Sequence, residues 1–202
     1  MIYKVFLKKV FDIHKEKGSI FYSIAAPINS LDEIKVCLKI IKKEHLKSNH
    51  IGYAYRLYFN SNINEFCSDG GEPKGSAGFP ILNILIKNNL INSIIFVVRY
   101  FGGTKLGISG LINAYGFSAN QVAKKQYFDL WKLKKKLLLI YSYQFDEPLL
   151  FLLNSFKIKI INRDFKENIN MFIEIEENQY KEFSKKISSI FNDKIIFVDK
   201  SN

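Results

Sequence analysis

Residues 94 to 111, I-I-F-V-V-R-Y-F-G-G-T-K-L-G-I-S-G-L, constrain the fold of this 202-residue chain more than any other stretch. The β-forming run Ile94 to Val98 predicts a strand that leads into Arg99 and Tyr100. Four glycines then fall within nine residues (Gly102, Gly103, Gly107 and Gly110), and a helical pattern follows. Glycine loses the most backbone entropy on folding, so this density marks a loop of special conformation. Strand, glycine loop and helix is also the arrangement that holds an anion against a helix N-terminus. The loop therefore serves a ligand, the fold, or both.

A second stretch, S68-D-G-G-E-P-K-G-S-A-G-F-P-I-L82, has the same logic. Ser76 is placed to cap the helix that follows. Asp69 and Glu72 fit two roles. They are either an acid/base pair or magnesium ligands, or they are structural, Asp69 accepting turn N–H bonds and Glu72 bridging to Lys74 or Arg99. Neither loop is a nucleotide fingerprint: Gly102-x4-Gly107 is followed by Ile108 where a P-loop needs lysine, and no GxGxxG occurs. Both remain candidates for a phosphate, with the backbone of Gly102, Gly103 and Gly107 approaching it and Lys74, Arg99 and Lys105 supplying charge.

Charge favours an anionic partner. The net charge is +11, and its distribution is uneven. Residues 1–72 carry +3, residues 73–145 carry +9 with Asp129 as their one acid, and residues 146–202 carry −1. The excess gathers around the second loop and around Lys134, Lys135 and Lys136, an electrostatic footprint that fits RNA. Against this stands composition: 27 lysines to 3 arginines, with abundant asparagine and isoleucine, is what an AT-rich genome supplies without any partner.

Apolar residues at 48% predict a folded protein, and no apolar run approaches the ~20 residues of a membrane span. The N-terminal residues show no apolar core of signal-peptide length, and Cys37 and Cys67 make no disulfide framework. A cytoplasmic protein is expected. Strands are predicted at 19–26, 51–59 and 92–100, a turn at 60–62, and helices at 31–46, 79–90 and 109–125. From residue 137 the order becomes βαββαβ, with strands at 137–145, 157–164, 169–176 and 194–198 and helices at 147–156 and 179–191, the ferredoxin-like pattern. Two domains are expected, 1–128 and 129–202.

Other reactive groups are sparse. His14 and His45 read as solvated, while His50 precedes a tyrosine-rich strand and suits either a functional or a capping role. Three scattered histidines and two cysteines make no zinc site, and no metal, cofactor or catalytic residue is expected. Tyr53, Tyr55, Tyr100 and Phe101 either stack on bases or belong to the core.

With these segments in place the sequence resembles the YigZ/IMPACT family. Residues 68–82 resemble its S-D-D-G-E-P-x-G-T-A-G-x-P-I-L signature, and residues 97–115 its V-x-R-Y-F-G-G-x-x-L-G-x-G-G-L-x-x-A-Y. H50-I-G-Y-A-Y-R and K17-G-S-I-F are similar to two shorter motifs. The resemblance implies an α+β chain. Its N-terminal α/β domain would be like domain 2 of ribosomal protein S5, and its C-terminal ferredoxin-like domain like the last domain of elongation factor G. Eukaryotic members regulate translation through a protein partner and carry an additional RWD domain that does not appear in this sequence, so that partnership is not expected here. For bacterial members the resemblance implies nucleic-acid or ribosome binding with no established reaction. Gly70 stands where the motif has a second Asp, Gly52 where it has Cys, Phe79 where a basic residue is common, and Ser109 where glycine is usual. The loss of two chemical groups disfavours catalysis.

The expectation is thus a non-catalytic translation-associated regulator that binds RNA or the ribosome through its glycine loops and basic surface, with a protein partner in translation control as a further possibility. The alternative is an enzyme acting on a phosphorylated small molecule or nucleotide at residues 68–78 and 99–110. No membrane partner is expected, and the sequence sets no oligomeric state.

Overall fold

The computed structural model describes residues 2–59, 62–125 and 127–200, and in it the chain divides into two units, Met1–Trp131 and Lys132–Asn202. The first unit contains β1 (Lys4–Phe6), β2 (Val10–Glu16), β3 (Ser19–Pro27), α1 (Leu31–Glu44), β4 (His50–Phe59) and β5 (Asn62–Ser68). It continues with α2 (Gly78–Lys87), β6 (Ser93–Tyr100), α3 (Gly107–Ala123) and β7 (Phe128–Leu130). Of the turn expected at 60–62, residues 60 and 61 lie outside the described residues.

Five of these strands form one antiparallel sheet in the order β2-β3-β6-β4-β5, so β6 is central. Every β6 residue from Ser93 to Arg99 is buried. Antiparallel strands are commonly solvated on one face; here helices cover both faces of β6. Ile95 and Val97 join Phe21, Ala25 and Ala54 beneath Ile81 and Leu85 of α2 and Leu111, Tyr115 and Val122 of α3. Ile94, Phe96 and Val98 point the other way, with Ile24, onto Ile34 and Ile41 of α1. The period-two alternation of the strand thus feeds two cores, and that is why an unbroken apolar run is needed.

Local signals fix the ends of these elements. Ser30 caps α1 by accepting from the Glu33 N–H at 3.2 Å, and the Glu33 carboxylate reaches back to the Asn29 N–H at 2.8 Å. Lys17 and Gly18 both have positive φ (43° and 81°) and close the β2–β3 hairpin in a two-residue turn. β1 pairs with β7 as a separate two-stranded ribbon, Phe6 packing on Phe128 with ring centroids 4.9 Å apart. That pairing keeps residues 128 to 131 with the first unit, three residues past the expected boundary.

The second unit runs β8 (Lys134–Tyr141), a 3-10 turn at Tyr143–Phe145, α4 (Asp146–Ser155), β9 (Lys159–Phe165), β10 (Ile169–Glu176), α5 (Glu177–Phe191) and β11 (Ile196–Asp199). Its antiparallel order β11-β8-β10-β9 is the ferredoxin-like βαββαβ arrangement. Ile169, Met171, Ile173 and Ile175 alternate inward from β10 against Leu149, Leu153, Phe183 and Ile187 of the two helices. The chain is therefore α+β, with two domains. No helix among the described residues is long and apolar enough to cross a membrane.

Candidate anion-binding site at two glycine loops

Both glycine stretches lie in the first unit, each leading into a helix on the same face of the sheet. The first connects β5 to α2. Asp69 turns back over this connection: its Oδ1 accepts from the N–H of Ala77 and of Gly78, both at 2.9 Å, and its Oδ2 from Gly75 at 2.9 Å. Burial pulls the Asp69 carboxyl upward, but these three backbone bonds outweigh it and hold the acid below its ordinary range. The helix terminus is thus occupied by a carboxylate of the chain itself. Ser76 does not cap α2 as expected; it is fully buried, and its hydroxyl donates to the Pro73 carbonyl at 2.6 Å. At Gly70 a side chain has no room, since an added Cβ would stand 2.0 Å from the Ile51 carbonyl oxygen.

Glu72, in the same loop, is buried and engaged. Its Oε1 accepts from Arg99 Nη1 at 2.8 Å and from the Tyr115 hydroxyl at 2.9 Å. Arg99 Nη2 donates to Ser19 Oγ at 3.2 Å, while its buried Nε has no partner among the described residues. The guanidinium lies 5.7 Å from the Phe21 ring centroid and 5.4 Å from that of Phe101, within cation–π range of both rings. Burial, then the Glu72 charge, push the Tyr115 hydroxyl far above its usual value, which keeps it a proton donor in a hydrogen bond. His50 completes the group from β4, with Nε2 3.9 Å from Glu72 Oε2 and Nδ1 3.3 Å from the Gly70 carbonyl, to which it can only donate. Arg99, expected to touch an external anion, therefore spends its guanidinium on Glu72 and Ser19.

The second loop connects β6 to α3 and is built differently. Gly102 packs backbone to backbone on the β2–β3 turn: a Cβ there would stand 1.8 Å from the Gly18 carbonyl carbon. Beyond it the loop opens. Nothing lies within 4 Å of the side-chain positions of Gly103 and Gly107, and residues 101–105 are exposed. Among the described residues no side chain caps α3 at Leu106, and its first turn carries no acid. Lys105 beside it, and Lys74 in the first loop, are exposed and have no carboxylate partner among the described residues. The geometry leaves a bare helix N-terminus with a lysine at its mouth.

The lysine cluster is less bare than its sequence implies. Lys134 lies 2.8 Å from Glu174, and Lys135 is 3.7 Å from Glu177, 3.8 Å from Asp199 and 5.0 Å from the Tyr180 ring centroid. Lys136 also has a partner. The acids that answer these lysines come mostly from 40 or so residues downstream, on β10 and α5. His14 and His45 are not solvated as expected. The His14 ring sits 4.5 Å from Phe117, and His45 Nδ1 is 2.9 Å from the Tyr100 hydroxyl, with burial lowering its pKa. Tyr115 and Ser19 were missed as members of the buried group; Tyr115 stands in the motif of residues 97–115, and Ser19 follows the hairpin glycine. Among the described residues, no group of three or more His, Cys, Asp or Glu could hold a metal ion.

A family model described as the Impact N-terminal domain matches residues 17–123, the interval that holds both loops. IMPACT family member YvyE of Bacillus subtilis (strain 168) is 31% identical over 173 residues, covering 83% of this chain and 76% of that protein. IMPACT family member YigZ of Escherichia coli (strain K12) is 29% identical over 181 residues, 87% of each chain. The crystal structure of a hypothetical protein superposes with a TM-score of 0.74 at 25% identity, covering 98% of this chain and 96% of that one.

Proposed function

This chain belongs to the IMPACT family, and from that premise we propose that it is a non-catalytic regulator associated with translation that binds RNA or the ribosome in the cytoplasm. The association with translation comes with the family; the manner of binding comes from the site. The observation that carries it is the second loop, where a 17-residue helix begins behind open glycines with neither a side-chain cap nor a carboxylate partner for Lys105 among the described residues. A phosphate at that end would accept from the first amide groups of α3 and be neutralised by Lys105, with Lys74 as a further cation. The lysines at 134–136 contribute less, because β10 and α5 already answer their charge. The engagement of Asp69 and Glu72 within the fold favours binding over the enzyme reading, which uses them as an acid/base pair or as magnesium ligands.

The test is binding of purified protein to total RNA and to ribosomal subunits across a salt series, with Lys105→Ala alongside. Affinity should fall steeply with salt, with a log–log slope of roughly −0.7 for each phosphate neutralised on single strands. Lys105→Ala should flatten the slope by about one such increment. Weak, salt-insensitive binding that is identical in both proteins would overturn the proposal and point to small phosphorylated ligands instead.

A further inference from the structure

The face of the first sheet that carries α1 is covered only in part. Ile34 and Ile41 of α1 rest on Ile24, Ile94, Phe96 and Val98, the β3 and β6 side of that face. On the β4 and β5 side three rings stand in a row. Phe66 of β5 lies 5.5 Å from Tyr55 at an interplanar angle of 20°, and 5.8 Å from Tyr53, which continues to Phe96 at 5.7 Å. Phe66 remains 45% exposed, and neither tyrosine hydroxyl has a hydrogen-bond partner among the described residues. At the Tyr53 end of this row a cleft of about 380 Å³ opens beside α1, lined among others by Leu38, Lys42, Asn49, His50 and Tyr53.

Charge at the cleft has one sign. Helical spacing puts Lys35, Lys39 and Lys42 on the arc of α1 that includes the cleft residue Leu38. Glu44 falls on the opposite flank, where it pairs with Lys9 at 3.7 Å. Lys35 is answered by Asp32, but Lys39 and Lys42 have no carboxylate partner among the described residues. The β5 acid, Glu65, points to the other face of the sheet to meet the buried Arg56 at 2.8 Å. Among the described residues, no carboxylate lines the cleft.

We propose that this face is a stacking site for single-stranded RNA, with bases on Phe66, Tyr55 and Tyr53 and backbone phosphates on Lys39 and Lys42. Partly exposed rings on a sheet bordered by unpaired cations suit a flexible polyanion with π-faces, whereas a duplex hides its bases within the stack. A protein partner of neutral or basic character would leave the lysines unanswered. The site rests on the RNA reading above, but it is separate from the glycine loop and acts by a different interaction.

The experiment uses the full chain and a labelled, unstructured 12-nucleotide RNA, the same sequence as a duplex, and total RNA. The variants are Phe66→Ala, Phe66→Tyr, Lys42→Ala and Lys105→Ala. Phe66 is half exposed on an edge strand, and a thermal melt confirms that each variant folds. Phe66→Ala should weaken single-strand binding about tenfold, from the cost of losing one stacked base, and leave the salt slope unchanged. Phe66→Tyr should bind like the parent, Lys42→Ala should flatten the slope, and the duplex should bind more weakly than the single strand. Undiminished single-strand binding by Phe66→Ala, or equal affinity for duplex, overturns this site. If Lys105→Ala still weakens binding in that case, the glycine-loop reading stands alone. If the parent protein binds none of the RNAs, both proposals fall together.

Discussion

The two glycine loops share a plan and differ in what occupies the end of it. Each leaves a strand, turns on glycine and opens a helix. At α2 the helix terminus is filled from within, by Asp69 on three backbone amides, and the loop is locked further by Glu72 on Arg99 and Tyr115. At α3 the first turn holds no acid, and the described residues supply no side-chain cap and one exposed lysine. The contrast separates two uses of one motif: a self-liganded loop holds the sheet to its helices, and an unliganded one is left for something outside the chain. It also shows that glycine content alone does not mark a binding site, because Gly70 and Gly102 are both there to let backbones touch.

The largest effect should come from breaking the locked loop. Glu72→Ala would strand the Arg99 guanidinium in a buried position and should cost about 3–5 kcal/mol, read by urea denaturation. Tyr115→Phe keeps the ring and removes one bond to Glu72, so its cost should be about 1 kcal/mol. Next comes Asp69. Removing its carboxylate in Asp69→Ala leaves amides of Gly75, Ala77 and Gly78 unpaired, for about 1–3 kcal/mol. The sign with pH follows from the direction of its shift. A carboxyl held below its unfolded value contributes fully above about pH 4 and loses that contribution as pH falls through its lower folded value. The stability gap between the parent and Asp69→Asn should therefore be constant near neutrality and close in acid; a gap that persisted below both values would show that the charge is not what stabilises the loop. The smallest effect is the most pointed. Ser109→Glu gives α3 the first-turn acid it lacks and should stabilise the protein by about 0.3–1 kcal/mol while weakening RNA binding, measured by melting and by titration. If stability rose and binding stayed, the open terminus would not be where the anion sits.

Elements with a strong local period were legible from the sequence: β3, α1, β4, α2, β6 and α3 fall within a few residues of expectation, as does the βαββαβ order of the second unit. The strands that escaped notice are edges and ribbons. β2 alternates, but as an edge strand it leaves Phe11 and Ile13 exposed and places Asp12 between them, so its pattern lacks a clear core face. β5 is mostly polar, and β1 and β7 are three residues each, recognisable only through a partner more than 120 positions away. The same distance problem governs the site. The choice between Lys74 and Arg99 as the partner of Glu72 depends on how β6 lies against the loop, and neighbouring residues carry no trace of that. The lysines at 134–136 looked like a patch because their answering acids are distant in sequence; the register of β8 on β10 brings Glu174 and Glu176 alongside. Sequence shows where charge is concentrated, and cross-strand pairing decides where it remains.

The ribbon of β1 and β7 carries a consequence for how the first unit is made. A chain emerging N-terminus first has finished all five strands of the main sheet before Lys4, Val5 and Phe6 can meet Leu130, Asp129 and Phe128. Closing so long a loop is entropically slow, so the ribbon should be the last contact formed in synthesis. It should likewise be an early one to open in the native state, because its loss leaves the hydrogen bonds of the five-stranded sheet intact. Amides of Leu7 and Trp131, which bond to Tyr127 and Tyr3 across the ribbon at 2.9 Å, would then exchange with solvent well before those of β6. A molecule still on the ribosome would hold its glycine loops in place while its first strand, tied through Lys4 to Asn89 and Ile91, waited for β7.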